Sequence, residues 1–416
     1  MKILFVHQNF PGQFVHLAPA LAARGHEVVG LGDAANRRTT PVRTVYYRSP
    51  EKKGVKGLGA TFVDVAARGE MVAGACSQLR DRTGFVPDVI VGHNGWGEML
   101  FLREVWPDSR MINYAEFVYR ARGLDADFDA EFQTADLKAG IATAARAAHI
   151  LQSMIHADAA IAPTEWQKAT FPALLQDKIT VVHDGVDTDA VRPDPAASFA
   201  LPDGRVLRHG DEVISFVNRN LEPYRGYHIF MRALPEVLAA RPKAQVVIVG
   251  GDQQSYGRPA EAGTTWKQKF LDEVKDRLDM SRVHFTGKIP RAQFLALMQV
   301  TRAHAYLTYP FVLSWSMIEA MSAGALVIGS RTGPVEEVVE DGVNGRLVDF
   351  FDVQGWSKAL ITAMDRPKAD DKLRRAARQT VSDRYDLKTR CLPRQIELVE
   401  AQAAGGAGPM FLTRRP

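Results

Sequence analysis

Two cysteines in 416 residues, Cys76 and Cys391, leave no disulfide framework and no zinc-ligand spacing. A reducing cytoplasm is therefore the expected compartment. No apolar run approaches the roughly 20 residues of a membrane span, and the opening MKILFVHQNF is too short in apolar residues for a signal peptide. No phosphate loop of the G-x-x-x-x-G-K type occurs. Charge of neither sign dominates: 52 Lys and Arg against 48 Asp and Glu give a formal +4, too little to imply nucleic acid. What remains, 46% apolar and 24% charged, is an ordinary soluble composition. It is long enough for two domains of about 200 residues each.

Apolar runs alternate with helical periodicity through both halves. Ile3–Val6, Val28–Leu31, Val89–Val91, Met111–Tyr114 and Ala159–Ala162 read as strands. Between them Phe14, Leu17 and Leu21 step along a helix stopped by Gly25, and Leu137, Ile141, Ala144, Ala148, Leu151 and Ile155 along another. Alternating β and α elements give a parallel sheet covered on both faces, with function at the carboxyl ends of its strands. Arg192-Pro193-Asp194-Pro195 is a stiff stop, and Pro-Asp-Gly within Leu201–Leu207 a hairpin turn. Val213–Val217 and Gln245–Val249 then open a second sheet. The insertion Gln253–Trp266 has no assignment, and Gly405–Pro416 reads as a loosely ordered tail.

Two charged runs interrupt this balance. Residues 37–56 hold Arg37, Arg38, Arg43, Arg48, Lys52, Lys53 and Lys56 around Tyr46 and Tyr47. The plain reading is a solvated loop; its alternative is peripheral contact with an anionic membrane or with a pyrophosphate-linked acceptor. Asp125, Asp127, Asp129 and Glu131 invite a metal, but Ala130 stands where a calcium loop needs Gly, so the run reads as a solvated acidic loop. No metal site is expected.

The stretch Tyr306–Arg331 organises the chain. An apolar strand breaks at Pro310, a helix opens near Ser314 to Ser316 and ends at Gly324, and Ala325–Gly329 leaves as a buried strand. Such a turn aims free backbone N–H groups at one place, where a phosphate would sit. Glu319, about one turn in, is near enough to bond a ribose diol. A second reading stays open: Ser316 with Glu319 three residues on is also a capping box.

This arrangement resembles the nucleotide-sugar signature of glycosyltransferase family 4, enzymes of the GT-B fold. There a strand is followed by Glu, seven residues, a second Glu and an Ala-Met-x-x-Gly run. Glu319, Ala320, Met321 and Gly324 fit, while Phe311 stands eight positions before Glu319, where the family usually has its first Glu. Gly12 and Gln13 resemble the family's first glycine loop, and Gly92–Trp96 its His-containing turn, with His93. Relatives often carry a His near Glu116. Arg219 and Arg225 resemble the family's Arg and Lys, and Arg282–Lys288 its base-framing loop.

The resemblance implies an α/β GT-B protein, two Rossmann-like domains facing a central cleft. Residues 1–192 would be the acceptor side, 193–212 a linker and hairpin, and 213–385 the nucleotide-sugar domain. Residues 386–416 would be a helix and tail that could cross back to the first domain. It further implies a retaining, metal-independent glycosyltransferase without cofactor, acting in cell-surface polysaccharide or glycolipid synthesis. The donor would be a nucleotide sugar, UDP-linked rather than GDP-linked, and the acceptor a glycan or lipid-linked hydroxyl, with no nucleic acid involved. Arg219, Arg225, Glu116 and His93 are the candidate catalytic residues. Gly12, Gln13, Lys288, Phe311, Leu313, Ser314, Trp315 and Glu319 join the two arginines as candidate donor contacts. A nucleotide-sugar epimerase and a non-catalytic sugar-binding scaffold are the alternatives.

Overall fold

A computed structural model describes residues 1–51, 54, 56–132, 136–366 and 368–405. Its described residues divide into two compact units. The first holds those of 1–127, 136–185 and 388–405, and the second those of 128–132 and 186–387.

The first unit is built on seven strands: β1 (Lys2–Val6), β2 (Glu27–Asp33), β3 (Arg43–Tyr47), β4 (Val89–His93), β5 (Arg110–Tyr114), β6 (Ala159–Ala162) and β7 (Ile179–Val181). All pair in parallel, in the order β3-β2-β1-β4-β5-β6-β7. Ile3, Leu4, Phe5 and Val6 are fully buried because both sheet faces are covered. Ile3 and Phe5 face Phe14, Leu17, Leu21 and Val399, the last from the helix Leu392–Ala403. Leu4 and Val6 face Val72, Cys76 and Leu79 of the helix Ala60–Thr83. Glu400 of the same C-terminal helix takes a two-pronged contact from Arg24 at 2.8 and 3.1 Å. Arg43–Tyr47, expected within a solvated loop, is instead an edge strand registered Val29↔Arg43 to Asp33↔Tyr47. Lys52 and Lys53 of that run lie outside the described residues.

The second unit opens with an antiparallel hairpin, β8 (Ser198–Ala200) and β9 (Val206–Arg208), turning where Pro-Asp-Gly places it. Six parallel strands follow: β10 (Val213–Asn220), β11 (Gln245–Gly251), β12 (Val283–Gly287), β13 (Ala303–Tyr306), β14 (Leu326–Ser330) and β15 (Arg346–Val348). Their order is β12-β11-β10-β13-β14-β15. Arg282–Lys288, expected as a loop, is strand over Val283–Gly287, because Val283 is buried and paired with Val246. Each sheet changes winding direction once, beside β1 and beside β10. A doubly wound sheet opens its crevice at such points. No described helix is long and apolar enough to cross a membrane.

Candidate active site

Beside β10 the second unit has a cavity of about 320 Å³. Arg219 at the end of β10, Lys288 after β12 and Arg291 line it together with Ser314, Ser316 and Glu319. The helix Trp315–Ala323 places the last three. Ser314 is its N-cap, its hydroxyl accepting from Ser316 N, and Gly324 closes it at φ +89°. The capping-box reading of Glu319 therefore fails, since the cap is Ser314 and the third helical residue is Met317. Glu319 is left to face the cavity, where its carboxylate pairs with Arg291.

Not every expected donor contact is available in this arrangement. The Ser314 amide, one of those assigned to a phosphate, donates to the Tyr306 hydroxyl at 2.7 Å. Leu313 packs on the apolar core, and Trp315 is 44% exposed. Arg225 and Phe311 do not line the cavity. Arg225 is 5% exposed and donates through Nη1 to Thr308 Oγ1 at 2.7 Å and to the Val312 carbonyl at 2.9 Å. Its guanidinium lies 5.2 Å from the Tyr256 ring and 5.4 Å from that of Phe311. Phe311 is 3% exposed, edge-on to Tyr224 at 5.2 Å. Burial works against the Arg225 charge, but Tyr306, Tyr256 and Glu222 outweigh it and hold its pKa above the ordinary value.

The first unit gathers a different set beside β1. His93 ends β4 and accepts through Nδ1 from Gly95 N at 2.9 Å, which leaves the proton of the neutral ring on Nε2. That nitrogen stands 3.4 Å from Glu116 Oε2. Trp96 stacks on His93 at 4.0 Å and Tyr114 at 5.3 Å. His7, just past β1, accepts from Asn9 N and meets Gln13 Oε1 through Nε2 at 2.6 Å. Burial, then the neighbouring His93, holds its pKa down at about 3, so the ring is neutral. Gly12 is required here: its φ is +50°, and a Cβ would lie 2.5 Å from His7 Nε2. The structure thus joins His93, Glu116 and Gln13 into one neighbourhood. The sequence does not single out His7, five residues before Gly12, and it offers Trp96 only as the end of the turn that carries His93.

A model described as "Glycosyl transferase family 4 group" matches residues 24–191, and one described as "Glycosyl transferases group 1" matches residues 201–380. The chain belongs to glycosyltransferase family 4. Among curated proteins it is 29% identical over 199 residues to D-inositol 3-phosphate glycosyltransferase of Mycolicibacterium smegmatis, covering 47% of this chain and 42% of that protein. Glycogen synthase of Mycobacterium tuberculosis is 27% identical over 213 residues, covering 51% of this chain and 46% of that one. The matches thus span less than half the length of these relatives. Sucrose-phosphate synthase from Thermosynechococcus elongatus superposes with a TM-score of 0.73 over 97% of this chain and all of that one, at 17% identity. Anabaena HepE in complex with UDP-glucose gives 0.65 over 96% and 99%, at 16% identity. These likenesses establish the GT-B fold.

The acidic run is not the solvated loop expected. Asp125 and Asp129 are each 2% exposed. Asp129, in the second unit, accepts from the Tyr309 hydroxyl at 2.6 Å and lies 3.1 Å from His228 Nε2. Phe128 packs on Tyr309, Phe350 and Phe351, and Phe132 on His228 and Trp266. Asp129, Glu131 and His228 place ligand-type atoms within 4.8 Å of one another. Arg232 occupies both Glu131 oxygens at 2.7 Å, however, and its charge opposes a cation there. The cluster is a clasp for residues 128–132. Alternating acidic letters could not show which of them would turn inward.

Proposed function

We propose that this chain transfers a glycosyl group from a nucleoside diphosphate sugar to a hydroxyl of a glycan or glycolipid. The observation that carries the reading is the cavity beside β10, where cations, hydroxyls and one carboxylate converge. Arg219 and Lys288 suit a diphosphate, whose charge grows as it departs. Glu319 suits a ribose diol once Arg291 releases it. The HepE structures, which hold UDP and UDP-glucose on the same fold, favour UDP over GDP as the donor's nucleotide.

The anomeric carbon–oxygen bond to the diphosphate breaks, and a bond to the acceptor oxygen forms with retained configuration. The acceptor proton passes to the leaving phosphate. Glu116 and His93 would orient the acceptor side, His93 donating through Nε2. Arginines and lysine in place of a metal make the reaction independent of added cations. A cytoplasmic enzyme of cell-surface polysaccharide or glycolipid synthesis fits this substrate class. The basic stretch within 37–56 would bring it to anionic lipid.

Turnover of UDP-, ADP- and GDP-sugars, with and without lipid extract and with a chelator present, tests this. Acceptor-dependent release of UDP that survives chelation is expected. Consumption of the donor without acceptor would instead make the chain an epimerase. No turnover of any donor with any acceptor would contradict the proposal.

A further inference from the structure

The family resemblance pairs Arg225 with Arg219 as a candidate donor contact, yet the structure covers it. The cover is the short segment after β11, whose backbone amides are held by one buried carboxylate. Glu222, just past β10, is 1% exposed, and its Oε1 has no hydrogen-bond partner. Its Oε2 faces the backbone N–H groups of Ser255, Tyr256 and Gly257 at 3.3, 3.3 and 3.4 Å, long for such contacts. Converging backbone amides of this kind commonly receive a phosphate or another bound anion. Here a carboxylate of the chain occupies them. Burial pushes the Glu222 carboxyl up from its ordinary range, against the three amides and Arg225. A buried charge so incompletely satisfied is held at a cost, which makes the contact easy to undo.

The rest of the segment follows from that anchor. Asn220 Nδ2 donates to Ser255 Oγ at 2.6 Å. The Tyr256 ring lies 4.9 Å from Phe311, 6.0 Å from Tyr224 and 5.2 Å from the Arg225 guanidinium. Tyr256 is only half-buried, so it can leave without opening the core.

We propose that residues 253–257 are a gate over Arg225: Glu222 latches it shut through three amides, Tyr256 covers the guanidinium, and the donor's diphosphate opens it by competing for Arg225. The inference rests on the donor reading above and adds a regulated contact to the same site. A closed gate lowers apparent affinity in proportion to the fraction of molecules that are open. Loosening the latch therefore strengthens binding, the reverse of what loss of an ordinary binding residue does.

The test is hydrogen exchange and titration on the full chain with UDP, ADP and GDP, using wild type, Glu222→Gln and Tyr256→Ala. In wild type a bound nucleotide should speed exchange at the amides of 255–257. Without nucleotide, Glu222→Gln should show the same acceleration, and it should bind about threefold or more tightly. Tyr256→Ala should also bind more tightly, and it carries the test if the buried Glu222 variant does not fold. Wild-type binding with unchanged or slower exchange at 255–257, and no gain in either variant, would overturn the gate and leave the donor reading standing. Failure of all three nucleotides to bind any of the proteins would overturn both.

Discussion

The two sheets change winding direction at equivalent places and then furnish those places with opposite chemistry. Beside β1 stand rings: His7, His93, Trp96 and Tyr114, with Glu116 at their edge. Beside β10 stand cations: Arg219, Lys288 and Arg291 around Glu319, with Arg225 held beneath Tyr256. A shared backbone architecture supplies a crevice, while the side chains decide what it can hold. Flat rings suit a sugar face or a positioned hydroxyl, and the paired cations Arg219 and Lys288 suit a diphosphate. Under the proposed function the two units would take different halves of one reaction, and each half can be broken separately.

Acid should produce the largest effect, and in both units. Burial holds His183 at about 4 and, with His93, His7 at about 3 in the first unit, and it holds His304 of the second unit at about 4, with His149 of the first and His228 and His284 of the second also lowered. These are depressed values, so the unfolded chain takes up the protons first. The stability is complete above about 6.5 and is lost as pH falls toward 4, on the order of 3 kcal/mol for each of His183, His7 and His304. Denaturant melts from pH 7 to 4.5, followed by exchange in each unit, should show both units weakening. A unit whose stability does not fall would contradict neutral buried imidazoles there.

Phe311→Ala comes next. The ring is buried among Tyr224, Tyr256 and the Arg225 guanidinium, so truncation should cost the second unit about 3 kcal/mol or more. Reduced turnover at unchanged melting temperature would instead make Phe311 a contact of the donor sugar. His93→Ala should then lower turnover about a hundredfold while nucleotide affinity holds. Parallel losses of both would place the ring in donor binding. The smallest effect belongs to Arg291→Ala. It frees Glu319 from a pair whose arginine is well exposed, and titration should show nucleotide binding tighter by about threefold or less. Weaker binding would make Arg291 itself a donor contact.

Much of this was legible in the chain. Strand runs such as Ile3–Val6 and Ala159–Ala162 are buried on both faces, and continuous apolar letters report that directly. Gly324 marked the end of its helix because its backbone must turn left-handed there. Other features depended on partners distant in sequence. Val283–Gly287 and Arg43–Tyr47 become strands only because neighbours at Val246 and Val29 accept them. Arg225 looks like a free surface cation until Thr308, the Val312 carbonyl and Tyr256 enclose it. Asp129 looks solvated until Tyr309 and His228 claim it. The Ser314 amide was assigned to a phosphate, and no local pattern foretold that the Tyr306 hydroxyl eight residues back would take it.

The division of labour rests on the cavity beside β10 being where the nucleotide binds. Titration of UDP into wild type, Arg219→Ala and His93→Ala, each confirmed folded, tests it most directly. One charged hydrogen bond is worth roughly 1.5–3 kcal/mol, so Arg219→Ala should bind about tenfold or more weakly while His93→Ala binds as wild type does. Unchanged affinity in Arg219→Ala, or an equal loss in His93→Ala, would contradict the account.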